Sequence, residues 1–297
     1  MMNKVLITGA NGFLGFYLTR LLLQNQYKVT GTGRGPCRLP FQEQNFQYVT
    51  MDFTSKEQVE QVIATSRPDI VVHAGAISKP DECEKNKENA FQNNVVGTMH
   101  LLKASEAIGS KFIFLSTDFV FDGTKGMYEE DDERRAVNYY GDTKILAEDQ
   151  VMLYPHSWAI ARTVLVYGKP IASRDNLLTV VAKALEKGNS LSIFSDQVRT
   201  PTYVEDLAQG ILQIILKNAM GVYHLSGQDV LSPYQMAVRV ANYLNLDADL
   251  IKNITEKDLQ EPAKRPLKTG FNISRAQKEL DFRPISFEEG LEKTFIV

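Results

Sequence analysis

The sequence predicts an α/β fold, in which a doubly wound parallel sheet carries helices on both faces and a smaller, mainly helical part follows. Short β-branched or aromatic runs alternate with longer helical patterns through the first half, and the first run leads directly into a glycine-rich turn. Strands that alternate with helices in this way form parallel sheets. A chain of 297 residues, 43% hydrophobic and 23% charged, is long enough to bury such a core.

Six strands and two helices are predicted in the first half. The strands are KVLIT (4–8), YKVTGT (27–32), FQYVTM (46–51), DIVVHA (69–74), KFIFLS (111–116) and SWAIAR (157–162). The helical spacing of apolar residues predicts a helix directly after the first strand, with Leu14, Tyr17, Leu18, Leu21 and Leu22 on its inner face. A long helix is predicted over 86–107, with Phe91, Val95, Met99 and Leu102 on one side.

The second half predicts helices over 176–187 and 205–217 and a strand over 221–227 that returns to the main sheet. Small helices are predicted from Ser232, Ser274 and Ser286, the last two from capping-box patterns. We therefore divide the chain into a dinucleotide-binding domain and a substrate-binding part, with a cleft between them. The domain comprises 1–165 with 204–228 returning to it, and the substrate-binding part comprises 166–203 and 229–297.

Net charge, cysteine and histidine spacing and the length of apolar stretches limit the partners and sites that we expect. The formal net charge of −3 argues against nucleic acid and anionic membranes as partners. Cys37 and Cys83 form no disulfide framework, and neither they nor the four scattered histidines have metal-site spacing. No apolar stretch reaches the roughly 20 residues that span a bilayer, and the chain begins without a signal-peptide pattern. We expect a cytoplasmic protein without a metal site.

The segment ITGANGFLG (7–15) has the spacing of a dinucleotide-binding turn, because it follows a strand and opens a helix. Its glycines allow a tight turn, approach of the backbone to a pyrophosphate and close packing of helix on strand, and the helix N-terminus favours the phosphate charge. This context predicts a Rossmann-type domain. The residues that we expect against the cofactor are Gly9, Asn11, Gly12, Phe13, Leu14 and Gly15.

The end of the second strand predicts which dinucleotide binds. NAD sites usually place an acidic residue there to hold the ribose 2′-hydroxyl. Gly33 stands at that position and Arg34 follows it, which favours the 2′-phosphate of NADPH, with NADH as a possible substitute. Asp52 and Phe53, just after the third strand, are expected near the adenine, although Asp52 is equally suited to a turn.

Three residues, Thr117, Tyr140 and Lys144, are candidates for catalysis. Thr117 ends the fifth strand, and parallel α/β sheets bind ligands at the carboxyl ends of their strands. Tyr140 stands four positions before Lys144, which places both side chains on one face of a helix. Hydride addition to a ketone needs a proton donor for the developing oxyanion. Lys144, together with an oxidised nicotinamide ring, is expected to lower the pKa of Tyr140 and also to reach the nicotinamide ribose.

The glycine loop, STD (116–118) and YGDTK (140–144) resemble the extended short-chain dehydrogenase/reductase superfamily. STDFVFDGTKGMYEEDD, NYYGDTK, RTPTYVEDLA and KRPLKTGFNISRAQKEL resemble the dTDP-4-dehydrorhamnose reductases and, equally, the regulatory β subunits of methionine adenosyltransferase. The resemblance implies a catalytic triad of Thr117, Tyr140 and Lys144. It also implies cofactor contacts from Ala74, Gly75, Ala76, Lys79, Tyr140 and Lys144, and contacts to a nucleotide sugar from Thr117, Asp118, Arg199 and Arg265.

The resemblance leaves several reactions open. Sugar-nucleotide dehydratases carry an acidic pair after the catalytic threonine, whereas this chain has Asp118 and then Phe119, so simple reduction of a 4-keto-sugar fits better. Epimerisation remains an alternative, as does a regulatory subunit that binds NADP(H) without turnover. The stretch 268–272 departs from the reductase pattern, which leaves the sugar nucleotide itself open. The helices over 86–107 and 140–153 are candidates for a homodimer interface, His73 is expected in the core, and the acidic stretch 128–135 is expected to be a solvated loop.

Overall fold

The computed structural model describes residues 3–171, 175–259 and 261–296. Its strands are β1 (Lys4–Thr8), β2 (Lys28–Gly33), β3 (Phe46–Thr50), β4 (Ile70–His73), β5 (Lys111–Thr117), β6 (Trp158–Thr163), β7 (Val166–Tyr167), β8 (Leu191–Phe194), β9 (Thr202–Tyr203), β10 (Gly221–His224) and β11 (Ile251–Ile254). Its α-helices are α1 (Phe13–Gln24), α2 (Lys56–Ser66), α3 (Pro80–Lys85), α4 (Lys87–Phe91), α5 (Gly97–Glu106), α6 (Tyr139–Met152), α7 (Leu177–Glu186), α8 (Val204–Leu216), α9 (Pro233–Tyr243), α10 (Ser274–Leu280) and α11 (Phe287–Phe295). A π-helix covers Gln92–Val96, and 3₁₀ turns cover Asp118–Val120 and Ala248–Leu250.

The central sheet has seven strands in the order β10-β6-β5-β4-β1-β2-β3, and every neighbouring pair is parallel. The predicted Rossmann-type, doubly wound fold is therefore confirmed. The strand order reverses between β1 and β4, where ligands bind in such sheets, at the carboxyl ends of the strands. Thr8 of β1, His73 of β4 and Thr117 of β5 all lie at this edge.

The predicted strands agree with the structure to within one or two residues at most ends. The strand predicted over 221–227 is shorter, since β10 covers 221–224, but it pairs with β6 and completes the sheet as expected. The helices predicted over 176–187 and 205–217 correspond to α7 and α8. Outside the main sheet, β8 pairs with β11, and β7 pairs with β9.

Apolar layers cover both faces of the sheet. One layer includes α1 and α8, in which Leu18 and Ile211 are fully buried, and the other includes α2 and α5. Burying one such side chain contributes roughly 1.5–3 kcal/mol. A third cluster joins α7, α9 and α11 around Met236, Val181 and Phe287 in the smaller part of the chain. The division into two domains at the residues given above stays a prediction.

The helix predicted over 86–107 is interrupted. The π-helix at Gln92–Val96 separates α4 from α5, and the extra residue of its wider turn shifts the inner face. Val95 and Leu102 are buried as expected, whereas Phe91 and Met99 are 37% and 45% exposed. The predicted single inner face is therefore wrong at two of its four positions. The homodimer through this helix stays a prediction.

The capping predictions differ in their outcome. Ser232 and Ser286 each form a reciprocal capping box, with Gln235 and Glu289 respectively. The capping box predicted at Ser274 is wrong, because α10 already includes Ser274. The side chain of Asn272 accepts hydrogen bonds from the backbone and hydroxyl of Ser274 instead.

The acidic stretch 128–135 is a loop as expected, and Glu129, Asp131, Glu133 and Arg135 are exposed, but its other residues are solvated only in part. Tyr128 is only 4% exposed and stacks on Phe121, with ring centroids 4.2 Å apart. The Glu130 carboxylate accepts a hydrogen bond from the backbone of His224, and its carbonyl accepts one from Arg162. The segment is thus fastened over the end of the sheet by partners that are distant in sequence.

Within the described residues, no helix has the length and apolar composition required to span a membrane. The cytoplasmic location stays a prediction.

Candidate active site

A cleft of about 960 Å³ opens at the carboxyl ends of β1, β2, β4 and β5. Its lining includes the glycine loop, the residues after β2 and β4, and the end of β5 with the start of α6. From the predicted site it contains Gly9, Asn11, Gly12, Phe13, Leu14, Gly15, Arg34, Phe53, Ala74, Gly75, Ala76, Thr117, Asp118, Tyr140 and Lys144. These predicted residues come from six separated segments of the sequence and converge on one cavity.

The glycine loop has the close packing that a dinucleotide site requires. Gly9 has a positive φ of 70°, which disfavours a side chain. An ideal Cβ at Gly15 would lie 2.4 Å from the carbonyl oxygen of Gly9, so any side chain there would separate α1 from the loop. The first turn of α1 consequently faces the cleft with free backbone N–H groups, which suit a phosphate. These features fit a pyrophosphate.

Two arginines lie at the end of the cleft beside β2. Arg34, which the sequence predicted, lines the cavity, and so does Arg38, which the sequence reasoning missed. The available sequence signal for Arg38 was the presence of a second arginine in the short loop after β2. Asn11 does not simply face the cleft: its Nδ2 donates to the carbonyl of Pro36 at 2.9 Å, and its Oδ1 accepts from the backbone of Arg38 at 2.9 Å. Asn11 thus holds the loop 34–38 against the glycine loop by hydrogen bonds.

Two predicted cofactor residues lie outside the lining of this cleft. The Asp52 carboxylate accepts hydrogen bonds from the backbone and the hydroxyl of Thr54, so it stabilises the turn before α2. Lys79 lines a neighbouring depression that also contains Asp81, Lys85 and Arg265. The cofactor contacts of Asp52 and Lys79 stay predictions.

Thr117 and Tyr140 are brought together by the packing of α6 on the turn after β5. Asn138 caps α6 by accepting a hydrogen bond from the backbone of Gly141 at 2.9 Å. An ideal Cβ at Gly141 would lie only 2.2 Å from the carbonyl oxygen of Phe119. Glycine at this position therefore lets the first turn of the helix, with Tyr140, approach the threonine.

Burial dominates the electrostatics of the Tyr140 phenol. It raises the pKa of Tyr140 above its usual value, while a hydrogen bond with the Thr117 hydroxyl acts in the opposite direction. A neutral phenol is the form that can donate a proton. The hydroxyl of Thr117 in turn donates to Oδ1 of Asp118 at 3.1 Å and accepts from the backbone of Phe119 at 3.3 Å.

Lys144 lies one turn further along α6 and is almost fully buried, with 3% exposure. Its Nζ donates to the carbonyl of Leu115 at 2.8 Å and lies 3.8 Å from the centroid of the Phe114 ring. Burial lowers the pKa of Lys144 to about 7, and the nearby carboxylate of Glu148 opposes that change. The group can therefore change its protonation state near neutral pH.

His73 is a structural residue, as expected. Its Nδ1 lies 2.6 Å from the Thr8 hydroxyl, and its Nε2 lies 3.0 Å from the Thr98 hydroxyl, which itself donates to the carbonyl of Asn94. Because the Thr98 hydroxyl donates its hydrogen to that carbonyl, Nε2 of His73 must donate to Thr98, and Nδ1 must accept from the Thr8 hydroxyl. Burial lowers the pKa of His73 to about 3, which keeps the ring neutral.

Asn94 is a positioning residue that the sequence reasoning missed. From the π-helix, its side chain accepts from the backbone N–H of Ile77 at 2.9 Å and donates to the carbonyl of Ile77 and to the Thr143 hydroxyl, both at 3.0 Å. It therefore joins the loop after β4 to α6. A buried asparagine beside a helix interruption was the available signal, since such insertions are frequent at functional sites.

The predicted substrate residues divide into two groups. Asp118 lies in the cleft beside Thr117, and its Oδ2 contacts Nε of Arg199 at 3.5 Å and accepts from the Thr269 hydroxyl. Burial raises the pKa of Asp118, and the Arg199 guanidinium acts against that rise. Arg199 is thus a buried partner behind the cleft, with further hydrogen bonds to the carbonyls of Leu267 and Pro266.

Arg265 belongs to the neighbouring depression rather than to the cleft itself. Its guanidinium forms a two-pronged ion pair with Asp81 of α3, with N–O distances of 2.5 and 2.9 Å. This pair links the C-terminal part of the chain to the segment that follows β4. The substrate contacts of Arg199 and Arg265 stay predictions.

Comparisons with known proteins agree with this architecture. A family model described as the RmlD substrate binding domain matches residues 2–296. The spore coat polysaccharide biosynthesis protein SpsK of Bacillus subtilis is 30% identical over 294 residues, which cover 98% of this chain and 96% of that protein. The β subunit of methionine adenosyltransferase 2 from Bos taurus is 30% identical over 281 residues, which cover 93% and 82%.

A solved structure of dTDP-4-dehydrorhamnose reductase from Bacillus anthracis in complex with NADP is similar over 99% of both chains, with a TM-score of 0.88 and 29% identity. A dTDP-glucose 4,6-dehydratase from Streptomyces venezuelae shares the fold, with a TM-score of 0.87 at 22% identity. The chain therefore belongs to the RmlD substrate binding domain family and is a dTDP-4-dehydrorhamnose reductase-like oxidoreductase of the short-chain dehydrogenase/reductase superfamily.

Proposed function

We propose that this protein uses NADPH to reduce the keto group of a nucleotide-activated 4-keto-sugar, with dTDP-4-dehydro-L-rhamnose as the substrate and dTDP-L-rhamnose as the product. The observation that carries the proposal is the convergence of Thr117, Tyr140 and Lys144 on the cleft that the glycine loop and two arginines also line. The similarity to a reductase solved with NADP supports the same reading.

The roles of the residues follow from their chemistry. Bound NADPH would supply the hydride. The Thr117 hydroxyl orients the keto oxygen by turning its hydrogen from Oδ1 of Asp118 to that oxygen. Tyr140, whose pKa burial keeps high, donates the proton that the developing alkoxide requires. Lys144 in its charged form favours the phenolate that remains. Arg34 and Arg38 are suited to bind a 2′-phosphate.

The hydrogen bonds and the ion pair of the Asp118 carboxylate favour reduction over dehydration. Elimination of water needs a carboxyl group that is free to exchange protons with the sugar. The carboxylate of Asp118 is occupied by Thr117, Arg199 and Thr269, and Phe119 follows it instead of a second acid. We therefore assign Asp118 a positioning role beside Thr117.

The test is the loss of NADPH absorbance on addition of dTDP-4-dehydro-L-rhamnose. Tyr140→Phe should lower kcat by about 10²–10⁴-fold, the range associated with one acid–base group, while NADPH still binds. Tyr139→Phe is the matched control, because it removes a hydroxyl from the adjacent position, and it should retain most of the activity. Equal rates for wild type and Tyr140→Phe would overturn the role of Tyr140.

A second candidate is a regulatory subunit, which the similarity to the β subunit of methionine adenosyltransferase 2 favours. Such a protein would bind NADP(H) without turnover and would dock on a catalytic partner. The two candidates differ in one experiment: wild-type protein that binds NADPH, reduces no nucleotide keto-sugar and co-elutes with a methionine adenosyltransferase in gel filtration would favour the regulatory role.

A further inference from the structure

The position of Gly33, at the end of β2, is closed to a larger side chain by a neighbouring tyrosine. An ideal Cβ at Gly33 would lie 2.8 Å from the hydroxyl oxygen of Tyr48 on β3. The backbone of Gly33 lies outside the positive-φ region, so a side chain here meets a steric obstacle and not a conformational one. This is the position at which NAD-dependent sites carry their acidic residue.

The Tyr48 hydroxyl is held in place by two hydrogen bonds. It accepts from Nδ2 of Asn11 at 2.7 Å and donates to the carbonyl of Gly35 at 2.9 Å. Asn11 in turn holds the carbonyl of Pro36 and the backbone N–H of Arg38. The glycine loop, β3 and the loop 34–38 therefore form one hydrogen-bonded unit around the tip of the Tyr48 side chain.

This unit lies directly beside the two arginines of the cleft. Arg34 and Arg38 both line the cavity, and the backbone between them is fixed at Gly35, Pro36 and Arg38 by Tyr48 and Asn11. Fixing the loop reduces the conformational entropy that its guanidinium groups lose on binding an anion. Tyr48 thus leaves no space for an acidic side chain at position 33, and it fixes the loop that carries Arg34 and Arg38.

We propose that Tyr48, braced by Asn11, is a specificity-determining residue that commits this cleft to the 2′-phosphorylated dinucleotide. The inference rests on the proposed NADPH-dependent function and adds to it the residue that enforces the choice. Tyr48 acts through the loop and through the space at position 33, and it is a positioning residue that needs no contact with the dinucleotide.

The test measures the dissociation constants of NADPH and NADH by fluorescence titration, with thermal melting to verify folding. Tyr48→Phe removes only the hydroxyl, and loss of its two hydrogen bonds should weaken NADPH binding about tenfold while NADH binding changes less than about twofold. Tyr27→Phe, which removes a hydroxyl at the opposite end of β2, is the control and should change neither constant.

A second pair of variants tests the steric part. Gly33→Asp alone should gain no affinity for NADH, because the new Cβ would meet the Tyr48 hydroxyl. Gly33→Asp combined with Tyr48→Phe should bind NADH at least about tenfold more tightly than Gly33→Asp alone, since an aspartate can then reach a ribose hydroxyl. The gain in NADH affinity should appear only when the Tyr48 hydroxyl is absent.

The outcomes separate the inference from the function on which it rests. Wild-type protein that binds NADPH preferentially, while Tyr48→Phe weakens both dinucleotides equally, would overturn the role of Tyr48 and leave the proposed function intact. NADH binding by Gly33→Asp with Tyr48 still present would overturn the steric argument. Wild-type protein that binds neither dinucleotide would overturn both proposals.

Discussion

At the scale of single residues, burial sets the charges of Tyr140 and Lys144. The protein groups alone raise the pKa of Tyr140 and lower that of Lys144 to about 7, in both cases chiefly by removing the side chain from water. Each group is therefore driven toward its neutral form. The lowering of the Tyr140 pKa that the sequence reasoning assigned to Lys144 stays a prediction for the complex with the oxidised nicotinamide ring.

The low pKa of Lys144 predicts a pH dependence of stability in the protein without dinucleotide. An unfolded lysine has a pKa of about 10.4, so between pH 7 and pH 10 the unfolded chain binds more protons than the folded one at this site. The contribution of Lys144 to the free energy of unfolding should therefore rise with pH in this window and fall as pH decreases toward 7.

Urea unfolding of the wild type and of Lys144→Met at pH 7 and pH 9 measures this contribution. The wild type should gain at least about 1 kcal/mol relative to the variant over the interval, the free energy of roughly one pKa unit. Comparison within the pair cancels other titrating groups such as Lys111, whose pKa burial lowers to about 8. A constant difference between the two proteins would contradict the assignment.

At the scale of elements, the approach of α6 to the turn after β5 decides whether the site is assembled. Gly141 allows that approach, since a Cβ would lie 2.2 Å from the Phe119 carbonyl oxygen. Asn138 fixes where the helix begins, and Asn94 holds Thr143 from the opposite side. Tyr140 is thus located by three contacts along one short stretch of helix.

Gly141→Ala should therefore impair catalysis, although alanine favours helices more than glycine does. The added methyl group must push α6 away from the turn, at a cost of about 1–3 kcal/mol for overpacking, and kcat should fall by at least about tenfold because Tyr140 and Thr117 separate. Asp142→Ala, at the exposed next position, is the control. If both variants keep wild-type kcat and melting temperature, the close packing is not needed.

The elements that the sequence predicted correctly are those with a local cause. Strands followed from runs such as KVLIT, the first helix from its apolar stripe, and the cap at Ser286 from a pattern four residues long. The error over 86–107 has a distant cause, because Asn94 in the π-helix bonds to Ile77 and Thr143. The error at Ser274 has a local cause, because Asn272, two residues earlier, accepts the hydrogen bonds of Ser274.

The same distinction applies to the site. The glycine loop and the Tyr140–Lys144 spacing are readable because they lie within single segments. The space beside Gly33 is limited by Tyr48, and the carboxylate of Asp118 is paired with Arg199, which is 81 residues away in the sequence (199 − 118). A single sequence carries no signal for such pairs.

At the scale of the whole molecule, a buried ion pair connects α6 to the rest of the fold. Glu148 of α6 and Arg162 of β6 form two hydrogen bonds of 3.0 and 2.8 Å, and both side chains are almost completely buried. Arg162 also donates to the carbonyl of Glu130 and contacts His224 of β10 at 3.3 Å. Arg134 adds a second cation to the same carboxylate.

Breaking this pair should destabilise the protein strongly. Arg162→Met leaves the carboxylate of Glu148 buried with only Arg134 beside it, and removal of one partner of a buried pair costs about 3–5 kcal/mol. The double variant Glu148→Leu/Arg162→Met should recover part of that loss, because no uncompensated charge remains. Chemical denaturation measures both, and a double variant less stable than Arg162→Met would contradict this account.

We propose above that the assembled molecule transfers a hydride from NADPH to the carbon of a sugar ketone. The most direct measurement incubates the protein with NADPH deuterated at C4 and dTDP-4-dehydro-L-rhamnose, followed by mass spectrometry of the nucleotide sugar. We expect a product that carries one deuterium at the sugar carbon, in an amount equal to the NADP⁺ formed. Tight binding of NADPH without any deuterium in the sugar nucleotide would contradict it.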